Sequence, residues 1–318
     1  MITAERAGRR TGSFYGFLRL YGRTDMTNQN LYRGIICMIF SAFSFALMNL
    51  FVRLSGDLPV IEKAFFRNLI AFFIADVILL RDHEKIRIGK GNYGALAIRC
   101  IAGTIGIWCN FYAVGVIDLA DASILNKLSP FFVLIFSYII LKEKFTLFQG
   151  SSIVLAFIGA LFVIKPGIAS MSAGGMGTWI GALGGLCAGL AYTYVRKLGE
   201  NGVKGAVIVV CFSAFSCLAS VPFMLVSFQV PSVTQTVFLL AAGAAAAGGQ
   251  FGITAAYTHC PAREVSVYDY SQLIFSTILG YLVLSELPDA LSFIGYALIV
   301  AASILLFLYN NGKIGQKG

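Results

Sequence analysis

Ten stretches of mostly apolar residues, each about 20 residues long, follow one another along this chain with only short connections between them. A helix that crosses a bilayer needs about 20 such residues. The sequence therefore predicts an all-α integral membrane protein with ten transmembrane helices. We place them near 33–54, 60–80, 93–116, 119–141, 147–165, 177–196, 205–227, 236–258, 263–285 and 290–310.

The composition excludes several other classes of protein. Charged residues make up 12% of the 318 residues and hydrophobic residues 58%, whereas a soluble domain has about 25% charged residues. This excludes a soluble enzyme, a disordered chain and a secreted disulfide scaffold. The seven cysteines include no C-x-x-C pair and lie mostly in apolar runs, which is typical of small buried side chains. No cofactor is expected.

The net charge of +9 reflects the distribution of 24 basic residues. With the basic tail 1–31 placed inside, 18 basic residues fall in inner segments and one, Lys165, in an outer loop. The other five lie within the spans: Arg53, Lys63, Arg67, Arg99 and Lys127. An excess of lysine and arginine on one side marks the cytoplasmic side. We therefore expect a multi-pass protein of the cell membrane with both termini in the cytoplasm and no nucleic-acid partner.

The chain also repeats itself at an interval of 143 residues. This shift places Val52-Arg53 on Val195-Arg196, Asn126 on Asp269, and Leu141-x-Glu143 on Leu284-x-Glu286. The sequence is thus two copies of a five-helix unit. Because each copy has an odd number of spans, the second enters the membrane from the opposite side, and the copies form an inverted 5+5 repeat.

The third and fourth predicted spans carry the features that point to a family. Arg99 opens the third helix, FYA precedes a short turn, the segment ADASIL enters the fourth helix, Pro130 follows, and Glu143 ends it. This pattern resembles the EamA-type repeat of the drug/metabolite transporter superfamily. The second copy is similar but has Leu273 in place of Pro130. On this resemblance, 32–166 is the first repeat, 177–310 the second, and 1–31 and 311–318 are cytoplasmic tails.

The resemblance implies a secondary carrier of a small organic metabolite. In the family a central cavity is lined chiefly by the first, third, fourth, sixth, eighth and ninth helices, and the fifth and tenth are peripheral. Substrates across the family include amino acids, nucleotide-derived compounds, vitamins and drugs. The resemblance leaves open the substrate, the direction of transport and whether the protein is a monomer or a homodimer.

Charged groups inside the spans are candidates for function because each costs about 2.5–3.5 kcal/mol to insert at the bilayer centre. Asp269 either exchanges protons or contacts substrate, or it forms a structural ion pair with Arg99. Lys127, beside Asn126, either attracts an anionic group or reaches the outer surface near Asp121. Arg99 is assigned a structural role.

Three more charged residues lie near the outer side. Lys63 and Arg67 share a face of the second helix and, with Glu62, are expected to form a structural charge cluster. Arg67 is the deeper of the two and the better candidate for the cavity. Arg53 ends the first helix and is expected to extend to the membrane surface.

Neutral polar and aromatic side chains suit a cavity for planar organic substrates. The candidates are Asn49, Trp108, Asn110, Tyr112, Tyr192, Gln250, Tyr257, Tyr268 and Gln272. Pro130 is assigned a structural role. Gly181, Gly185 and Gly189 recur every four residues and predict a groove for close helix packing.

These features favour a transporter that works by alternating access, with Asp269 as a candidate for proton coupling. A membrane-embedded transferase or hydrolase would need a convergent acid–base or metal site, and no such motif appears. A channel would need a filter motif, which is also not found. Both remain alternatives at this point.

Overall fold

A computed structural model describes residues 28–81, 88–143, 146–164, 174–286, 289–310 and 314, and within these ranges the chain is helical and contains no strand. The unbroken long helices are α1 (Asn28–Leu54), α2 (Val60–Arg81), α3 (Tyr93–Val116), α6 (Leu147–Ile164), α7 (Gly174–Glu200), α8 (Gly205–Ser227), α9 (Val233–His259) and α12 (Ala290–Asn310).

Two further segments are broken. The fourth segment consists of α4 (Leu119–Asn126), α5 (Ser129–Phe136) and a π-helical turn, Ser137–Leu141. The ninth segment consists of α10 (Ala262–Val265), a 3-10 turn (Ser266–Tyr270), α11 (Ser271–Leu279) and a π-helical turn, Gly280–Leu284. In the described part of the chain, the helical segments thus number ten.

Six of the described segments are long and apolar enough to cross a membrane. They are Leu31–Leu54, Lys90–Val116, Ala122–Leu141, Gly205–Ser227, Val233–His259 and Ser266–Leu284. Two shorter apolar helical stretches, Leu147–Gly159 and Phe293–Ala302, lie in α6 and α12. The chain is therefore a multi-pass membrane protein.

The breaks in the fourth and ninth segments place polar side chains in the interior. Lys127 follows the last residue of α4, and Pro130 lies in the first turn of α5, where its missing N–H disrupts no helical hydrogen bond. The ninth segment is interrupted at the matching place by a 3-10 turn that contains Asp269, although Leu273 replaces the proline. A proline is therefore not required for this break.

Both broken segments also end in the same way. Each π-helical turn is followed by a residue in the left-handed region, Lys142 (φ 56°) and Ser285 (φ 58°). The next backbone N–H then bonds back into the turn, from Glu143 to Ser137 O at 3.3 Å and from Glu286 to Gly280 O at 3.2 Å. These matching positions are 143 residues apart.

The main helix pairs join the two halves of the chain. Helix α1 packs along α9, α3 along α7, α2 along α8, and α6 along α12. The first two pairs approach closely: Ser41 donates to Gly249 O at 2.7 Å, and a Cβ at Gly106 would lie 3.3 Å from the Ala188 backbone N. The interior thus lies at the interface between the halves, with α6 and α12 packed beside each other.

The glycines of α7 face the fourth segment. A Cβ at Gly181 would lie 2.7 Å from Leu125 Cδ1, one at Gly185 would overlap Leu125 O, and one at Gly189 would lie 2.5 Å from Phe132 Cβ. Side chains at these positions would push the helices apart, so the small residues allow the fourth segment to lie against α7.

Candidate functional site

A small polar cavity lies at the centre of the bundle, between the two halves. Its volume is about 50 Å³, which is room for a few water molecules because one water needs about 10–15 Å³ by this measure. It is lined by Phe45, Met48, Asn49, Arg67, Arg99, Gly103, Gly106, Ile107, Asn110, Asn126, Ala188, Ala191, Tyr192, Phe212, Gln250 and Gln272.

The lining comes from more helices than the family resemblance implied. Besides α1, α3, the fourth segment, α7, α9 and the ninth segment, Arg67 on α2 and Phe212 on α8 contribute. No described residue of α6 or α12 lines this cavity. Seven of the candidate binding residues reach it: Asn49, Arg67, Asn110, Asn126, Tyr192, Gln250 and Gln272.

The other six candidates lie outside the cavity lining. Trp108 packs edge-on against Phe223 with ring centroids 5.4 Å apart, and Tyr257 stacks on Tyr192 at 5.6 Å, behind the cavity wall. Tyr268 lines a separate apolar groove of about 350 Å³ between α1, the ninth segment and α12. Three further candidates also lie outside the lining: Tyr112, Lys127 and Asp269.

Lys127 and Asp269 form an ion pair between the two broken segments. The Lys127 Nζ lies 2.7 Å from Asp269 Oδ1, and their side chains are 2% and 1% exposed. Two alternatives from the sequence are therefore wrong: Lys127 does not reach the surface near Asp121, and Asp269 does not pair with Arg99. The break in each segment brings these two side chains together.

Arg99 instead lies against an aromatic wall. Its guanidinium carbon is 4.1 Å from the Phe212 ring centroid and 6.0 Å from that of Tyr192. A Cβ at Gly103 would overlap Arg99 Nη1, so the glycine provides the space for the guanidinium. The sequence assigned Arg99 a structural role and did not predict that it lines the cavity. Gly103, one turn after Arg99, is the feature of the sequence that could have indicated space for its guanidinium.

Arg67 is held by a chain of polar groups. One Nη of Arg67 donates to Asn68 Oδ1, and Asn68 Nδ2 donates to Ser216 Oγ at 2.7 Å. The predicted cluster with Lys63 and Glu62 is not formed. Lys63 donates to the backbone carbonyls of Val52 and Gly56, and Glu62 accepts from the backbone N–H of Gln229 at 3.1 Å.

Amides form the rest of the polar lining. Asn110 Nδ2 donates to Asn49 Oδ1 at 3.2 Å, while Asn49 Nδ2 and Asn110 Oδ1 have no hydrogen-bond partner among the described residues. Gln250 Nε2 donates to Thr254 Oγ1 at 3.3 Å. The wall therefore has spare donors and acceptors for a polar ligand.

Two ion pairs lie at opposite ends of the bundle. At one end, Arg53 Nη1 donates to Val114 O at 2.6 Å and Arg53 Nη2 lies 3.5 Å from Glu286 Oε1. Glu286 also accepts from the Leu119 N–H at 3.2 Å. Arg53, which the sequence places at the membrane surface, thus also has partners within the bundle. Burial raises the pKa of the Glu286 carboxyl, although Arg53 and the Leu119 N–H favour its charged form.

The first ion pair lies near the last turn of α3, and the second lies near its beginning. Arg196 Nε lies 3.2 Å from Glu143 Oε1, and Arg196 Nη2 lies 2.8 Å from Glu200 Oε1. The end of α7 is near the beginning of α3, since Asn201 Nδ2 donates to Asn92 Oδ1 at 2.7 Å. Under the 143-residue shift, Arg53 corresponds to Arg196 and Glu143 corresponds to Glu286. Each ion pair therefore joins the arginine of one copy to the glutamate of the other copy.

The described residues contain no cluster of three or more His, Cys, Asp or Glu side chains that could hold a metal. The residues that line the cavity supply arginine, amide, hydroxyl and aromatic groups. Such groups bind and orient a small polar molecule.

Comparisons with known proteins agree with this architecture. The chain is 34% identical over 281 residues to the pseudopaline exporter CntI of Pseudomonas aeruginosa (strain UCBPP-PA14), a match that covers 88% of this chain and 97% of the exporter. It is 25% identical over 285 residues to an uncharacterized transporter of Helicobacter pylori (strain ATCC 700392 / 26695), covering 86% and 94% of the two chains.

A solved crystal structure has the same fold, with a TM-score of 0.72 at 13% identity, covering 89% of this chain and 99% of the other. Residues 32–165 match the model of the EamA-like transporter family. The proteins of this family that resemble the chain are membrane transporters rather than enzymes. This chain belongs to the EamA-like transporter family.

Proposed function

We propose that this protein is a secondary carrier that moves a small organic metabolite across the cytoplasmic membrane by alternating access. Both termini lie in the cytoplasm, as the distribution of basic residues favours. The observation that carries the proposal is the presence of two ion pairs at opposite ends of the bundle, Arg53–Glu286 and Arg196–Glu143.

The two ion pairs are supported by a repeated framework. The broken segments, their π-helical ends and the main helix pairs all correspond under the 143-residue shift. Two copies with five segments each have opposite orientations in a membrane, and an exchange of conformation between them converts access on one side into access on the other. Each end then opens when its own ion pair breaks.

The ion pairs are weak enough to open during a transport cycle. The side chains are 30% and 21% exposed in Arg53–Glu286, and 13% and 19% exposed in Arg196–Glu143. Fully exposed ion pairs contribute about 0–1 kcal/mol, and water that reaches these partly exposed side chains lowers the cost of separating them. A carrier needs such low-energy closures because each end has to open and close in every cycle.

Flux measurements test the proposal. The purified protein in liposomes is expected to give saturable flux of one member of a metabolite panel that includes pseudopaline, with stimulation by unlabelled substrate on the opposite side. Counterflow distinguishes a carrier from a channel, which instead gives unitary currents. Flux that does not saturate and shows no counterflow contradicts the proposal.

Cross-linking of each end tests alternation directly. In a background without the native cysteines, paired cysteines at 53 and 286, or at 143 and 196, are bridged by a reversible thiol cross-linker. Either bridge is expected to stop flux, and reduction is expected to restore it; the single-cysteine variants are the control. Full flux with one end bridged argues against alternating access.

We further propose that the Lys127–Asp269 pair couples transport to protons. A proton on Asp269 leaves the Lys127 ammonium without its partner in the interior, so the two broken segments separate more easily. Asp269→Asn is then expected to remove the dependence of flux on an imposed pH gradient. A folded variant with unchanged dependence argues against this role but not against transport.

A further inference from the structure

Two guanidinium groups on neighbouring helices line the central cavity. Arg67 on α2 is 2% exposed and Arg99 on α3 is 1% exposed, and they are among the largest fully buried side chains. Both side chains are therefore removed from solvent while they line the same small space.

Neither arginine has a carboxylate partner in the part of the chain that the structure describes. Arg67 contacts the neutral Asn68, and Arg99 contacts the Phe212 ring. The Nε of Arg67, and the Nε and Nη2 of Arg99, make no hydrogen bond there. An arginine keeps its charge and has five N–H donors to satisfy, so both groups have unused capacity.

Two other buried cations of the described interior have partners, and one of them, Lys63, donates to the backbone carbonyls of Val52 and Gly56. The other, Lys127, is as buried as the two arginines and has the Asp269 carboxylate at 2.7 Å. A buried charge without a counterion is strongly unfavourable. Two of them beside one cavity are therefore a feature that packing does not explain.

Both arginines belong to the cavity lining, and two glycines of α3 lie beside Arg99. Gly103 makes the space for the Arg99 guanidinium, and Gly106 keeps the next turn of α3 free of a side chain. The same cavity is lined by the amides of Asn126, Gln250 and Gln272. The lining thus combines two cationic groups with neutral polar groups.

We propose that Arg67 and Arg99 form a clamp for a small organic acid that has two oxyanion groups, one for each guanidinium. Planar guanidinium groups bind carboxylate and phosphate oxygens through paired hydrogen bonds. The amides bind the uncharged part of the substrate. This inference rests on the proposed transport function, since it names the class of compound that enters the same cavity.

The clamp belongs to one copy of the repeat. The 143-residue shift places Val210 at the position of Arg67 and Ala242 at that of Arg99. The substrate therefore binds asymmetrically within a symmetric framework, with its anionic end toward α2 and α3.

Binding to the purified protein in detergent tests the clamp without requiring transport. The probes are dicarboxylates of increasing chain length, a phosphate monoester with a carboxylate, and the diamide and diamine of matched length. Calorimetry is expected to detect the dianions and neither the diamide nor the diamine. Tighter binding of the dicarboxylates would identify carboxylate as the preferred oxyanion group of the substrate, and tighter binding of the phosphate monoester would identify phosphate. Tight binding of the diamide or diamine overturns the proposal.

Substitution of each arginine supplies the second measurement. Arg67→Gln and Arg99→Gln are each expected to weaken dianion binding by about 10- to 100-fold, because each removes charge-assisted hydrogen bonds. Arg99→Lys is expected to fall between, since an ammonium cannot form the paired contact. Arg81→Gln, on the exposed end of α2, is the control and is expected to bind as the parent protein does.

Thermal stability separates a binding role from a structural one. Removal of a buried, unpaired charge is expected to raise the unfolding temperature of the ligand-free protein in both glutamine variants. A structural role predicts a lower temperature instead, and that result overturns the proposal. If dianions bind and the variants lose them but liposomes show no flux, the transport function fails and the clamp stands. If instead uncharged solutes show saturable flux that Arg67→Gln leaves intact, the transport function stands and the clamp fails.

Discussion

Removing one partner of the Lys127–Asp269 pair is expected to destabilise the protein much more than removing both. Asp269→Leu leaves a buried ammonium without a counterion, and Lys127→Met leaves a buried carboxylate in the same situation. The double variant removes both charges and fills the space with apolar side chains of similar size. The comparison therefore isolates the interaction between the broken segments.

The magnitude follows from the distance and the burial. Two unit charges 2.7 Å apart attract by about 6 kcal/mol at an effective dielectric constant of about 20. Much of this offsets the cost of removing both charges from water, so the pair as a whole contributes little. Breaking a buried pair from one side costs about 3–5 kcal/mol, while apolar replacement of both partners is neutral or stabilises by about 1–4 kcal/mol.

Equilibrium unfolding in mixed detergent micelles measures these free energies for the parent, the two single variants and the double variant. The Arg196–Glu200 pair of α7, whose side chains are 13% and 40% exposed, is a less buried comparison and is expected to give a smaller coupling energy because Glu200 is open to solvent. Additivity of the single variants within about 0.5 kcal/mol would refute the reasoning, because independent sites add to that precision.

Two further predictions concern helix packing and one end of the bundle. Gly185→Ala is expected to lower the free energy of unfolding by about 1–3 kcal/mol, because its Cβ overlaps Leu125 O; Gly115→Ala, which meets no atom within 4 Å, is the control and is expected to stabilise α3 slightly. Glu286 has a pKa raised from its ordinary value of 4.5 by burial, so the folded state binds more protons than the unfolded state between the two values. The free energy of unfolding is expected to fall as the pH rises through this window, and a pH series with Glu286→Gln should lack that slope.

Hydropathy was sufficient to predict where the helices lie. The first helix was predicted to begin near residue 33, and α1 begins at Asn28. The helix predicted at 205–227 has the same bounds as α8. Apolar length determines which residues can cross a bilayer, and it is a local property of the sequence. The break in the ninth segment was harder to predict because no proline marks it and the 3-10 turn at Asp269 depends on contacts with the rest of the bundle.

The partners of the buried charges could not be predicted in the same way. The sequence offered Arg99 as the cation for Asp269, but the partner depends on where each side chain points rather than on its depth. Arg99 turns toward Phe212 because Gly103 leaves space on that side, and Lys127 then has the position beside the carboxylate. Such choices depend on small side-chain displacements that no spacing along the chain encodes.

The repeat predicts the framework of the protein better than its binding site. Symmetry accounts for the two broken segments and for the exchange of partners between Arg53 and Arg196. It says nothing about Arg67 and Arg99, whose counterparts in the second copy are Val210 and Ala242. The framework has to be symmetric if both sides are to open in turn, whereas the substrate is a single asymmetric molecule and needs its contacts on one side only.

The volume of the central cavity shows how the two end ion pairs relate to substrate binding. A cavity of about 50 Å³ is far below the about 300–1,000 Å³ typical of sites for drug-sized ligands, so the conformation with both ion pairs formed is closed to an organic substrate. Under the proposed mechanism, one end has to open before the substrate reaches the arginines. The apparent affinity is then the intrinsic affinity multiplied by the fraction of the protein that is open. Two unpaired guanidinium groups make the closed, empty interior costly, and this cost favours opening. A bound dianion removes it, so the loaded carrier can close around its substrate more readily than the empty carrier closes around water.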